Sequence, residues 1–211
     1  LLAESNRILT AEYRPTDADV IHARASTTGV HEIMFSFRRF GIRLIDVGGQ
    51  KTERRKWIHC FGIFSYNVSA ILYVISLSCY DQFLEEDPSI NRMDDSIELF
   101  RAMFYNQFLF KCSYILFLNK KDLFEHKLRH VPLKKFYPLF EACLTNITID
   151  DHYGEAVEFI KKMFMNVKEP ESNRNIYAHV TNATDTKNIE FVFGATCDIV
   201  LQHNLSKAGM T

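Results

Sequence analysis

From His31 to Arg38 the apolar residues Ile33, Phe35 and Phe37 alternate with Glu32, Ser36 and Arg38, the period of two that predicts a strand with one wet face. Ile42 to Val47 predicts a second strand, and the short gap through Arg39, Phe40 and Gly41 predicts an antiparallel hairpin. Thr52 to Phe61 reads as an exposed helix carrying Trp57. The apolar run Ala70 to Leu77 predicts a strand buried on both faces, and Tyr114 to Leu118 predicts a second. Asp87-Pro88 offers a cap and a proline near a helix start, with Ile90, Met93, Ile97, Phe100 and Phe104 following at helical spacing. Helices are expected near 132–143 and 154–166, a strand at Ile176–Val180, and a last helix from about Thr186 to Leu205, with Ile189, Val192, Phe193, Thr196 and Val200 on one stripe. Residues 1–23 read as peripheral: helical to about Leu9, a turn at Arg14-Pro15-Thr16, then a short helix capped by Thr16 or Asp17 and running to about Ala23.

Strands alternating with helices predict an α/β fold, a mostly parallel sheet covered by helices on both faces. Ligands of such sheets bind at the carboxyl ends of the strands, and polar loops begin there at Asp46, Asn119 and Thr181.

Each loop has a chemistry of its own. In Asp46-Val-Gly-Gly-Gln50, Asp46 can hold Mg²⁺ directly or through water, because that ion takes few protein carboxylates. The Gly49 N–H can approach a terminal phosphate, and Gln50, both donor and acceptor, can orient an attacking water. Read alone, the stretch fits equally a strand ending in a glycine turn with a solvated Asp46. In Asn119-Lys-Lys-Asp122, the Asp122 carboxylate can accept from the ring N–H and exocyclic amine of guanine, a donor pair that adenine lacks on that edge. Asn119 can tie neighbouring loops together, and the Lys120 stem can cover the face of the base. Thr181-Asn-Ala-Thr184 can present the Ala183 N–H to guanine O6. Arg24 stands three residues before Thr27, so one loop could place the Thr27 hydroxyl on Mg²⁺ while Arg24 reaches a transferring phosphate. Taken singly, the last two stretches are read as well by an ordinary turn and a polar loop.

Composition narrows the partners. The chain has 211 residues, 47% of them apolar and 24% charged, with a formal net charge of -1, so no basic surplus points to nucleic acid. The Ala70–Leu77 run is far short of the roughly 20 residues that span a bilayer. The 5 cysteines show no C-x-x-C spacing and read as reduced thiols, which points to the cytosol. The tripeptides at Asn67, Asn146, Asn182 and Asn204 match a glycosylation acceptor, a match with meaning only in a secreted chain.

Together these motifs resemble those of the alpha subunits of heterotrimeric G proteins over essentially the whole chain: Arg24 to Gly29 (switch I), Asp46 to Gln50 continuing through Glu53 to Phe61 (switch II), Asn119 to Asp122, and Thr181 to Asn188. The Glu53–Phe61 run separates this family from small GTPases. The resemblance implies a Ras-like GTPase domain over 24–211, preceded at 1–23 by the tail of an inserted helical domain and a linker. It implies GTP hydrolysis with Arg24 as built-in arginine finger, Gln50 positioning water, Gly49 sensing the γ-phosphate, and Thr27 and Asp46 at Mg²⁺. It also implies partners: a beta-gamma dimer and effectors at Arg55, Lys56, Trp57, His59 and Cys60, a seven-helix receptor at the last helix, and a location at the inner face of the plasma membrane.

The chain departs from the family pattern in places. The phosphate loop G-x-x-x-x-G-K-[ST] does not occur in these residues, which begin with Leu1. The expectation is a fragment lacking the first strand, phosphate loop and first helix, which alone binds guanine nucleotide poorly; a rival reading is a binding module that occupies partners without cycling nucleotide. The family's first strand lies mid-sheet, so its loss is expected to leave two unpaired strand edges. Gly62 to Tyr66 lengthens the end of switch II, Asn182 stands in place of a usual Cys, and Ala208 stands where some members carry a toxin-modified cysteine.

Overall fold

A computed structural model of the protein describes residues 4–23, 25–54, 56–57, 68–140, 152–169, 172, 174–207 and 209. The chain divides into two compact units, Leu1–Ile63 and Phe64–Thr211.

The first unit opens with α1 (Ser5–Ile8) and α2 (Asp17–His22). Thr16 caps α2 reciprocally: its hydroxyl accepts the Asp19 N–H, and the Asp19 carboxylate accepts the Thr16 N–H at 2.8 Å. Arg7 reaches the same carboxylate with both terminal nitrogens, at 3.0 and 2.6 Å, and so ties α1 to α2. Strands β1 (Val30–Phe37) and β2 (Phe40–Val47) then pair antiparallel, from Val30 opposite Val47 to Phe37 opposite Phe40. The turn is tighter than the sequence suggests. Phe40 and Gly41 belong to β2, and the connection is Arg38-Arg39, with Arg38 in the left-handed region at φ 53°. The alternation of β1 is present, but the burial expected of it is not: Ile33 is 57% and Met34 77% exposed.

The second unit is built on a parallel sheet in the order β3 (Ala70–Ser76), β4 (Ser113–Asn119), β5 (Ile176–Val180). Tyr73, Tyr114 and Leu116 point to one face, where they meet α3 (Arg92–Phe104) and α5 (His152–Met165). The ring of Phe100 lies 5.0 Å from Tyr73, 6.0 Å from Tyr114 and 5.7 Å from Phe164. Both tyrosine hydroxyls are satisfied inside this cluster, Tyr73 on the Ser96 carbonyl and Tyr114 on that of Met103, as buried phenols need to be. Ile115 and Phe117 point to the other face and pack with Val192 and Val200 of α6 (Thr186–Lys207). The last helix thus begins where the sequence places it. β4, flanked on both edges and both faces, is buried along its length up to Asn119.

Elsewhere the second unit departs from expectation. β3 is not buried throughout, since Val74, on the α6 face, is 54% exposed. The cap of α3 is Asn91, whose side chain accepts the Met93 N–H at 2.7 Å. Asp87 instead closes a preceding turn by accepting from the Ser89 N–H and hydroxyl. Near 132–143 the chain makes a short 3-10 turn at Leu133–Lys135, and residues 141–151 lie outside the described ones. Among the described residues β2 and β3 are each paired on one edge alone.

Candidate functional site

Two loop tips of the second unit meet at a single carboxamide. β4 delivers Asn119 at its carboxyl end, and the chain turns sharply through Lys120, left-handed at φ 62°, into α4 (Lys121–Leu128). Non-glycine residues in that region cost of order 1–3 kcal/mol and concentrate at functional sites. Asn119 Oδ1 accepts from the Thr181 hydroxyl at 3.2 Å and from the Ala183 N–H at 3.0 Å. The Lys121 N–H returns the link to the Thr181 carbonyl at 3.2 Å. Thr181 is fully buried, so its hydroxyl sets the carboxamide against a fixed point.

Asp122, in the first turn of α4, is exposed, where the free N–H groups of a helix start favour a carboxylate. The Ala183 N–H, which the sequence reading directs at a base, is donated to Asn119. Asn119, Lys120, Asp122 and Ala183 therefore form one rim. A guanine carbonyl at this rim would share the Ala183 amide with Asn119.

In the first unit β2 ends beside the loop that precedes β1. The Thr27 hydroxyl donates to Asp46 Oδ2 at 3.3 Å. The Gly48 N–H donates to the Gly29 carbonyl at 3.2 Å, and the Gly29 N–H donates to Glu53 Oε2 at 2.7 Å. Lys56 closes on the same carboxylate at 2.7 Å. The Lys56 ammonium, and after it the Gly29 N–H, hold the Glu53 carboxyl below the usual carboxylate range.

Gly48, rather than Gly49, is the glycine this packing requires. A Cβ on Gly48 would lie 2.6 Å from the Thr27 carbonyl oxygen and within 2.9 Å of Glu53, whereas one on Gly49 would meet open space. Gly49 and Gln50 are exposed. The Gln50 carbonyl accepts the Glu53 N–H at 2.9 Å, which starts the helical turn that follows. Trp57 corrects the picture of an exposed helix displaying it: it is 8% exposed, and its indole N–H donates to the Gly48 carbonyl at 2.8 Å. The sequence reading missed the parts played by Gly48, Glu53 and Thr181. The one signal available was Glu53 three residues before Lys56, the spacing of a helical ion pair.

Arg24, Arg55, His59 and Cys60, together with Gly62–Tyr66 and Ala208, lie outside the described residues. The half-buried Thr27 hydroxyl, on the loop before β1, and the adjacent exposed carboxylate of Asp46, near the end of β2, are hard oxygen donors, which suits Mg²⁺, an ion that draws most of its shell from water and phosphate. No group of three or more His, Cys, Asp or Glu among the described residues is arranged to hold a metal ion, and no described helix is long and apolar enough to cross a membrane.

Known proteins share this framework. The family model for G-protein alpha subunits matches residues 1–200. A guanine nucleotide-binding protein G(o) subunit alpha of Locusta migratoria is 41% identical over 209 residues, 99% of this chain and 56% of that protein. Proteins of the same description from Lymnaea stagnalis and Planorbella trivolvis are each 42% identical over 209 residues, with the same coverage. The chain thus spans 56% of the length of these curated relatives. Its parallel sheet with helices on both faces agrees with a Ras-like GTPase domain, and the chain belongs to the G-protein alpha subunit family.

Proposed function

We propose that the intact protein is a guanine-nucleotide-binding signal transducer that hydrolyses GTP and couples seven-helix receptors to effectors. The observation that carries this reading is the Asn119 carboxamide, which joins the ends of β4 and β5 while Asp122 stays exposed close by. In this role Asp122 accepts the ring N–H and exocyclic amine of guanine, Lys120 covers the base, and Ala183 and Asn119 meet its carbonyl edge. An adenine there would leave the carboxylate without its donors, a mismatch worth on the order of 10⁴-fold in discrimination.

Hydrolysis falls to the other loops. Gln50 is exposed, with a side chain able to orient water toward a terminal phosphate, whose oxygens the Gly49 N–H meets. Thr27 and Asp46 would hold Mg²⁺, which when bound neutralises charge on the phosphate oxygens. Arg24 stabilises the charge that develops on the transferring group. A terminal phosphate gripped between the Thr27–Gly29 and Gly48–Gln50 loops would order both, and its loss would release them. The Gly48–Gly29 and Gly29–Glu53 bonds already link these loops, which supports their moving together. Partner binding by a beta-gamma dimer and effectors is assigned to Arg55, Lys56, Trp57, His59 and Cys60, of which Trp57 is buried with its indole N–H on the Gly48 carbonyl, and receptor docking to α6. The inner face of the plasma membrane is the corresponding location.

Single-turnover GTP hydrolysis by the intact protein tests the reading. The expected result is measurable hydrolysis that falls by roughly 10²-fold in Arg24→Ala. An unchanged rate in that variant removes Arg24 from the mechanism. Tight GTP binding without hydrolysis moves the protein to the non-cycling binding module.

A further inference from the structure

The loop carrying Ala183 is held by side chains that the nucleotide reading does not use. Asn182 is half-buried, and its Oδ1 accepts both the Thr184 N–H at 3.1 Å and the Thr184 hydroxyl at 2.8 Å. Its own N–H donates at 2.8 Å to Oδ1 of Asn188, one turn into α6. Asn188 is held in turn, since its N–H donates to Asp185 Oδ1 at 3.1 Å. The Asn182 carbonyl accepts the Asp185 N–H at 3.0 Å. The peptide between Asn182 and Ala183 is therefore fastened on both sides, and its Ala183 N–H has one direction left to point, toward Asn119.

We propose that Asn182, braced by Asn188, is a positioning residue for nucleotide retention: its carboxamide fixes the 181–184 loop so that the Ala183 amide is preset at the base-reading rim. This rests on the guanine-site reading above. The effect follows from preorganisation. An Asx turn that closes on Thr184 removes conformations the loop would otherwise lose on binding, so without it each binding event carries that ordering cost. A hydrophobic or thiol side chain at this position offers no comparable acceptor to the two Thr184 donors. Asn182 itself touches no base in this scheme and acts through Ala183.

The test uses the intact protein loaded with GDP and, separately, with IDP, which keeps the base carbonyl and ring N–H but lacks the exocyclic amine. In Asn182→Ala, release of both nucleotides is expected to quicken by about tenfold, the scale of one or two neutral hydrogen bonds, with the GDP-to-IDP ratio preserved. Asn182→Asp, which keeps the acceptor, should restore slow release. Single-turnover hydrolysis by Asn182→Ala at saturating GTP should match the parent. Release at the parent rate in Asn182→Ala, or equally fast release in Asn182→Asp, overturns the brace. A parent protein with no preference for GDP over ADP instead overturns the guanine reading beneath it, which separates the two failures.

Discussion

The β1–β2 hairpin and the β3–β4–β5 sheet come from similarly apolar stretches yet meet opposite fates. Phe100, Tyr114, Leu116 and Leu118 are fully buried in the second unit, whereas Ile33 and Met34 in the hairpin are mostly open. The sheet has helices on both faces of β4, and its rings interlock at 5–6 Å. The hairpin keeps its register through backbone pairing and the Arg43–Glu32 ion pair, at 2.7 and 2.8 Å. Hydrogen bonding therefore shapes the first unit where apolar packing shapes the second. The loops to which we assign phosphate sensing lie in the first and those to which we assign base reading in the second, so under that proposal each kind of loop has the scaffold that suits it.

Substitution should expose this contrast most sharply in the core. Phe100→Ala removes a ring that touches Tyr73, Tyr114 and Phe164, and is expected to cost about 3–5 kcal/mol in a denaturant titration. The matched change Ile33→Ala should fall within about 0.5 kcal/mol. Similar losses at both sites would erase the distinction.

A smaller effect separates the paired glycines. Gly48→Ala forces its methyl into the Thr27 carbonyl and Glu53, and should cost about 1–3 kcal/mol while loosening the Trp57 indole bond, seen as a shift in tryptophan emission. Gly49→Ala should leave stability and emission near those of the parent, because its added methyl meets nothing.

The smallest expected effect concerns α1 and α2. Asp19 is held well below the usual carboxylate range, first by Arg7 and then by the Thr16 N–H and hydroxyl. A depressed folded-state pKa means that this contribution is complete above the ordinary carboxylate value near 4 and is lost as pH falls from there through the folded-state value. Protection of the Thr16 amide, its exchange taken relative to the unfolded-chain rate at the same pH, should accordingly fall below about pH 4 in the parent. In Asp19→Ala, which removes the acceptor, the same amide should be unprotected at every pH, and protection retained there would show that the Asp19 carboxylate is not its holder.

Much of this was legible from sequence, for reasons particular residues make plain. β4 and the stripe on α6 were readable because Tyr114–Leu118, Val192 and Val200 are apolar for one purpose, packing. The Asn119 and Thr181 loops were readable because they follow such strands. Val74 and Ile33 misled, since an apolar pattern states which face can be buried and leaves open what will cover it. Trp57 misled in the opposite sense: amid charged neighbours it looked displayed, and its N–H partner is a carbonyl nine residues away. The roles of Gly48 and Thr181 were hidden because each depends on an atom from a distant stretch, the Thr27 carbonyl and the Asn119 carboxamide.

The most direct measurement of the central claim is competition between GDP and ADP for the intact protein, repeated with Asp122→Ala. The account predicts a preference for GDP of about 10³–10⁴-fold in the parent that collapses toward parity in the variant. Equal competition by the two nucleotides in the parent, or an undiminished preference in Asp122→Ala, would contradict it.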